Sequence, residues 1–180
     1  GRAGPAEGWW GSLDLGAAAW LKQRMRMVHS GLVRVALVGV VLALVASAAG
    51  AHDWNDSGIA WQPYEQGLAL AKKEKKPICL IFYTEWCPHC ANYSKLFHDP
   101  KVVAESKKFV MIHVDNDKAK DLVGKYSPDG TYIPRTYFLS SDGALDPELH
   151  AARDKYMYFY DEKDPAPLLA AMDAAAKKLK

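Results

Sequence analysis

The sequence predicts a single α/β domain in the C-terminal part of the chain, and three observations support this class. Short runs rich in β-branched and aromatic residues alternate with segments of helical periodicity, which is the order of an α/β domain. Hydrophobic residues make up 49% of the 180 residues and charged residues 24%, a balance that provides a proper core. One predicted strand is also followed closely by a pair of cysteines at the N-terminus of a predicted helix.

The elements of this domain follow one another from about residue 58. Apolar, β-branched and aromatic residues predict strands at 77–83, 109–114 and 135–139, and an extended aromatic segment at 156–160. Helical spacing and start signals predict helices over 61–76, from the cysteine motif to about 98, after Asp99-Pro100, within 115–126, and after Asp164-Pro165. Turn residues at 127–130 and at 141–143 separate the later elements.

The N-terminal third has the pattern of an export signal. The apolar stretch 35–46 is preceded by four basic residues, Lys22, Arg24, Arg26 and Arg34. It is too short to span a bilayer comfortably, and small residues follow it at 47–51. We therefore predict an upstream extension at 1–26, a secretory signal peptide at 27–51 and a mature domain at 52–180. The alternative is an uncleaved signal anchor, which would be the only membrane contact. Either arrangement places the cysteines in a disulfide-permissive compartment.

The charge distribution argues against a nucleic-acid partner. The chain has a formal net charge of +2, and the excess of basic groups lies before residue 52. The predicted mature part carries 18 basic and 19 acidic groups, so no polybasic surface is implied.

The motif Cys87-Pro88-His89-Cys90 carries the chemistry of the predicted site. Such a pair also fits half of a zinc site, but the remaining cysteine, Cys79, lies within a predicted strand and is expected to be a core residue. Cys87 is expected just before the first helical turn, where unpaired N–H groups favour a thiolate. Cys90, one turn later, would resolve the mixed disulfide that Cys87 forms.

The two residues between the cysteines have expected roles of their own. Pro88 has a fixed φ and no N–H, so it suits the first turn and stiffens the loop. His89 is expected to stabilise the Cys87 thiolate further, which would make the pair a stronger oxidant. The alternative is an exposed loop histidine without a role.

The residues of three segments resemble those of the thioredoxin-fold proteins. These segments are the motif Trp86-Cys87-Pro88-His89-Cys90, Ile133-Pro134 before a strand, and the closing helix. Within that superfamily, residues 127–135 and Tyr156-x-Tyr158-Phe159-Tyr160 are similar to the small endoplasmic-reticulum oxidoreductases of the anterior-gradient type. The Pro-His dipeptide also resembles that of the periplasmic oxidase DsbA. The resemblance implies a thioredoxin-like fold, with a central mixed sheet flanked by helices.

The resemblance also implies a substrate-binding surface. Ile133-Pro134 would carry a cis peptide bond that exposes the Ile133 backbone to an extended substrate chain, and the alternative is a trans proline at an edge strand. Trp86 and Tyr132 would form an apolar rim, although either fits an ordinary core position. One departure concerns Ile81, since many thioredoxin-type proteins have a buried acid at that place. Glu85 is expected to be exposed, which leaves solvent as the proton acceptor for Cys90.

These observations together predict an exported thiol–disulfide oxidoreductase that acts on cysteine-containing proteins and needs no cofactor or resident metal. A redox partner would reoxidise or reduce the pair, and the direction of flux stays open. One alternative is a module that binds or delivers a soft ion such as Cu(I) through Cys87, His89 and Cys90. Another is a redox-silent client-binding domain. Because the printed sequence ends in 177–180 without a Lys-Asp-Glu-Leu-like address, we expect the periplasm, with secretion or the endoplasmic-reticulum lumen as alternatives.

Overall fold

A four-stranded sheet with helices around it organises the computed structural model, which describes residues 52–179. In chain order the elements are β1 (Trp61–Gln62), α1 (Tyr64–Glu74), β2 (Ile78–Tyr83), α2 (Pro88–Ser94), a 3-10 turn (Lys95–His98), α3 (Pro100–Ser106), β3 (Val110–Asp115), α4 (Lys120–Lys125), β4 (Arg135–Leu139) and α5 (Ala166–Lys178). The described residues therefore form the single predicted α/β domain.

Strand β2 lies at the centre of the sheet, whose order is β1-β3-β2-β4. Strands β1, β3 and β2 run parallel, and β4 pairs antiparallel with β2, so the sheet is mixed as expected. All six residues of β2 are buried, because hydrophobic clusters cover both faces of the sheet. A strand buried on both faces has a continuous apolar sequence, which is why the sequence predicts this strand.

The predicted helix over 61–76 is wrong at its start. Trp61 and Gln62 form β1, which pairs with Met111 and Ile112 of β3. The helix begins only at Tyr64, after Pro63, and ends where Lys75 adopts a left-handed conformation with φ of 55°. Tertiary contacts decide this start, since the Trp61 ring packs in the aromatic cluster beside β3 rather than on a helical face.

The predicted extended segment at 156–160 is also wrong. Its one backbone link to the sheet is the Thr136 N–H, which donates to the Tyr158 carbonyl at 2.8 Å. Side chains take the N–H groups that a ladder would need: Met157 N–H donates to Asp129 Oδ2, and Tyr158 N–H to the Tyr132 hydroxyl. The chain therefore turns here, with a positive φ at Tyr156, instead of adding a strand.

The predicted extension at 1–26 and signal peptide at 27–51 lie outside the described residues. Within 52–179, no helix has the length and apolar character needed to cross a membrane.

A histidine on β3 makes folding stability sensitive to acid. His113 stacks on Trp54 at 5.6 Å between ring centroids, and its Nδ1 is buried without a hydrogen-bond partner in the described part of the chain. Burial lowers the pKa of His113 below its ordinary 6.5, although the charges of Asp56 and Glu85 act in the opposite direction. The unfolded chain therefore binds a proton at this position more readily than the folded chain does, so acid favours unfolding.

We accordingly expect the denaturant concentration at the unfolding midpoint to decrease when the pH is lowered from about 7.5 to about 5.5. His113→Phe should make this decrease smaller. Equilibrium unfolding followed by tryptophan fluorescence at both pH values measures the difference. An equally large acid loss in the wild-type and His113→Phe proteins would show that other groups are responsible.

Candidate redox site at the start of helix α2

The end of β2 delivers the cysteine motif to the start of α2. Thr84, directly after the strand, accepts a hydrogen bond from the Cys87 N–H at 3.3 Å. Cys87 is then the N-cap residue, with extended backbone angles of φ −85° and ψ 115°. Pro88 occupies the first turn of the helix, where its missing N–H removes no hydrogen bond. The order of strand, turn and helix therefore fixes the position of the Cys87 sulfur.

The two motif sulfurs have different surroundings. Cys87 Sγ accepts a hydrogen bond from the Cys90 N–H at 3.3 Å. Cys90 is fully buried, whereas Cys87 keeps 4% of its surface exposed. Burial, together with the hydrogen bond to Cys87, raises the pKa of the Cys90 thiol far above its ordinary value. The Cys87 sulfur therefore lies at the start of the helix, and the Cys90 sulfur is held inside as a thiol.

The third cysteine belongs to the core. Cys79 lies in the middle of β2 with no exposed surface, and burial raises the pKa of its thiol strongly. A thiol that neither ionises nor meets solvent is a poor nucleophile. The expectation that Cys79 is a small core residue is confirmed.

The predicted motif histidine has a partner that the sequence did not indicate. His89 Nδ1 lies 2.8 Å from Glu162 Oε2, while Asn92 Nδ2 donates to the other carboxylate oxygen at 3.2 Å. The Glu162 side chain is only 12% exposed and the His89 side chain 64%. The Phe159 ring lies edge-on to the imidazole at 6.2 Å. The segment before α5 thus holds His89 in place beside the cysteines.

The predicted rim residues take different positions. Trp86 is 70% exposed, and its Nε1 donates to Asp117 Oδ2 at 2.8 Å, which fixes the indole on the surface. Tyr132 is half-buried, and its hydroxyl donates to Asp129 Oδ2 at 2.6 Å while accepting from Tyr158 N–H at 2.9 Å. Trp86 therefore presents an open apolar face, whereas the Tyr132 hydroxyl is fully engaged in holding two loops together.

The Ile133–Pro134 peptide bond is cis, which confirms the expectation from the resemblance. Pro134 is buried, and Ile133 packs against the hydrophobic cluster that contains both motif cysteines. Among the described residues, neither the N–H nor the carbonyl of Ile133 has a hydrogen-bond partner.

A buried arginine, Arg135, fixes the residues before the cis peptide bond through its hydrogen bonds. Arg135 has no exposed surface; its Nη1 donates to the Tyr132 carbonyl and its Nη2 to Asn116 Oδ1 at 2.9 Å. The guanidinium also lies over the Phe82 ring, 4.9 Å from its centroid. Burial lowers the pKa of Arg135. The residues before the cis bond are thus fixed from the sheet side.

Comparison with known proteins identifies the family. Residues 60–141 match the family model described as thioredoxin-like. Anterior gradient protein 2 homolog of Homo sapiens is 30% identical over 128 residues, which cover 71% of this chain and 71% of that protein. Anterior gradient protein 1 of Xenopus laevis is 32% identical over 130 residues, which cover 71% of this chain and 69% of that protein. The chain belongs to the thioredoxin-like family.

A second group of relatives and a solved structure were also matched. The thiol:disulfide interchange protein DsbD of Vibrio vulnificus is 35% identical over 133 residues; the match covers 63% of this chain but only 22% of DsbD. A thioredoxin from Thermus thermophilus superposes with a TM-score of 0.52 at 24% identity, over 66% of this chain and 87% of that one. The thioredoxin-like fold predicted from the motif is therefore confirmed.

At the position where many thioredoxin-type proteins have a buried acid, this chain has Ile81. Its side chain is completely buried in β2. Glu85 is half-buried rather than exposed as expected, because it accepts a hydrogen bond from the His52 N–H at 3.1 Å. Glu162 is the carboxylate whose charge contributes to the raised pKa of Cys90. The acidic side chain whose charge acts on Cys90 is thus in the loop before α5.

The described residues contain no group of three or more histidine, cysteine, aspartate or glutamate side chains that is arranged to hold a metal ion.

Proposed function

We propose that this protein is an exported thiol–disulfide oxidoreductase that exchanges disulfides with cysteine-containing proteins through Cys87 and Cys90. The observation that carries the proposal is the asymmetry of the two sulfurs. Cys87 Sγ receives a backbone N–H at the helix start, and Cys90 is a buried thiol one turn later. Nucleophilic attack needs the first of these sulfurs, and resolution needs the second.

In the reductive direction, the Cys87 thiolate attacks one sulfur of a client disulfide. The client S–S bond breaks, a Cys87–client bond forms, and the leaving client thiolate takes a proton. The Cys90 thiol then loses its proton and attacks Cys87 Sγ, which releases the second client sulfur as a thiol. The client gains two electrons, and the enzyme is left with a Cys87–Cys90 disulfide. The oxidised enzyme runs the same steps in reverse, and a separate redox partner resets the pair.

His89 is proposed to favour the thiolate of Cys87. An imidazole beside a sulfur stabilises negative charge when it is protonated or donates a hydrogen bond. Glu162 Oε2, 2.8 Å from His89 Nδ1, fixes the orientation of the ring. Stabilising the thiolate stabilises the reduced enzyme, which makes the disulfide form a stronger oxidant.

The client chain is proposed to lie between Trp86 and the cis-proline loop. The unpaired N–H and carbonyl of Ile133 are suited to pair with an extended backbone. Trp86, which is 70% exposed, offers an apolar surface directly beside Cys87. Both features suit an unfolded or flexible client segment, since such chains expose backbone groups and apolar side chains together.

Export to the periplasm, or else to the endoplasmic-reticulum lumen or the cell exterior, belongs to the same proposal. Its support is the basic and apolar pattern before residue 52, together with the need for a compartment in which disulfides persist.

Reduction of insulin disulfides by dithiothreitol, followed by turbidity, tests the proposal. We expect the wild-type protein to accelerate the reaction catalytically and Cys87→Ser to show only the background rate, because the attacking sulfur is gone. A parallel titration with Cu(I) measures metal stoichiometry. Absence of turnover with binding of one copper per chain would instead support the metal-delivery alternative.

A further inference from the structure

Two large hydrophobic side chains stand exposed on the described part of the protein. Trp86 is one, and Tyr156, which is 54% exposed, is the other. An exposed aromatic side chain can lose its apolar surface to a partner, and burial of that surface favours binding. Trp86 is already part of the proposed client site; Tyr156 is not, and its backbone and its contacts set it apart from an ordinary surface residue.

The backbone of Tyr156 is held in an unfavourable conformation. Its φ is 55°, a left-handed value that a bulky residue adopts rarely. Contacts on the C-terminal side enforce it: Met157 N–H donates to Asp129 Oδ2 at 2.8 Å, and Phe159 N–H to the Tyr156 carbonyl at 2.9 Å. Strained conformations that the surroundings fix in this way are concentrated at functional sites.

Tyr156 contacts the residue that precedes the cis-proline bond's Ile133. Its ring meets the Tyr132 ring edge-on at 4.8 Å between centroids, and Tyr132 directly precedes Ile133. Three residues after Tyr156, the Phe159 ring packs against the His89 ring at 6.2 Å. The segment 156–159 therefore runs from the cis-proline loop to the cysteine motif, with the Tyr156 ring on its outer surface.

We propose that Tyr156 is a specificity-determining residue that packs against an apolar side chain flanking the reacting cysteine of an extended client segment. The inference rests on the proposed function and adds the chemistry of the client. The fixed backbone and the contact with Tyr132 mean that the ring loses little freedom on binding. Burial of apolar surface from both partners then favours clients with leucine, phenylalanine or similar residues next to cysteine.

A pair of variants separates the ring from its backbone. Tyr156→Asn removes the aromatic surface while keeping a residue that tolerates the left-handed conformation. Tyr156→Phe keeps the ring. The ligands are two fluorescent peptides with serine in place of cysteine, so that binding is measured without exchange; one has leucine and the other has serine at the flanking position. Oxidised glutathione serves as a small substrate without an apolar residue beside its cysteine.

We expect Tyr156→Asn to weaken binding of the leucine peptide about tenfold in fluorescence anisotropy and to leave the weaker binding of the serine peptide unchanged. Tyr156→Phe should bind both peptides as the wild type does, and all three proteins should exchange with glutathione at equal rates.

Equal effects on the two peptides, or no effect, would overturn the proposal. A loss of glutathione exchange in Tyr156→Asn would do the same, since it would assign Tyr156 to the geometry of the redox site. A change in oligomeric state would assign the ring to self-association. Failure of the proposed function would look different from failure of this inference. In the first case the wild-type protein would not exchange disulfides with glutathione, and the peptide binding would still test the role of Tyr156.

Discussion

Cys90→Ser is expected to accumulate a covalent complex with client protein through a Cys87–client disulfide. Cys90 lies one turn after Cys87, and its backbone N–H donates to the Cys87 sulfur. With the resolving thiol removed, the mixed disulfide has no intramolecular route of release. We expect most of the protein to be trapped with a disulfide-containing client, against a trace for the wild type. Non-reducing electrophoresis and mass spectrometry of the linked peptides measure the complex.

Cys79→Ala is the matched control for this experiment. It removes a thiol of the same chain, but one that is buried in β2 and has a strongly raised pKa. We expect no trapped complex and normal turnover. Trapping through Cys79, or equal amounts of complex in all variants, would contradict the assignment of Cys87 and Cys90.

His89→Ala is expected to shift the redox equilibrium of the pair towards the disulfide. Under the proposed role of His89, whose Nδ1 lies 2.8 Å from Glu162 Oε2, removing the imidazole makes the reduced enzyme less stable relative to the disulfide. A change of about tenfold in the equilibrium constant with glutathione corresponds to a potential about 30 mV more reducing. Quenched equilibration in glutathione buffers, followed by alkylation and mass measurement, determines the constant.

His98→Ala provides the comparison for His89. It removes an exposed imidazole from the turn after α2, where its Nε2 lies 3.3 Å from Asp53 Oδ1 rather than beside the cysteines. Its equilibrium with glutathione should match that of the wild type. Identical constants for the two alanine variants and the wild type would mean that His89 has no part in the redox balance.

The sequence carried most of the information for those elements whose signals are local. Strand β2 was predicted over 77–83 and spans Ile78–Tyr83, because a strand buried on both faces is apolar without interruption. The placement of Cys87 before the helix and Pro88 in its first turn followed from short-range preferences. Local pattern was enough wherever neighbouring residues alone decide the conformation.

The errors arose where distant residues decide it. Strand β1 forms because Trp61 joins an aromatic cluster beside β3, and no neighbour in sequence indicates that. The segment 156–160 turns because Asp129 and Tyr132 capture its N–H groups. Glu162 lies 73 positions after His89, so their contact leaves no spacing pattern to read. A site built by chain segments this far apart becomes visible only in three dimensions.

The most direct test of the account is the thiol state of Cys87 and Cys90 in wild-type protein equilibrated across a series of glutathione buffers. We predict one two-electron transition in which both thiols disappear together into an intramolecular disulfide, while Cys79 stays reduced. Cysteines that remain reduced throughout, or that form only mixed disulfides with glutathione, would contradict the claim that this pair exchanges disulfides with client proteins.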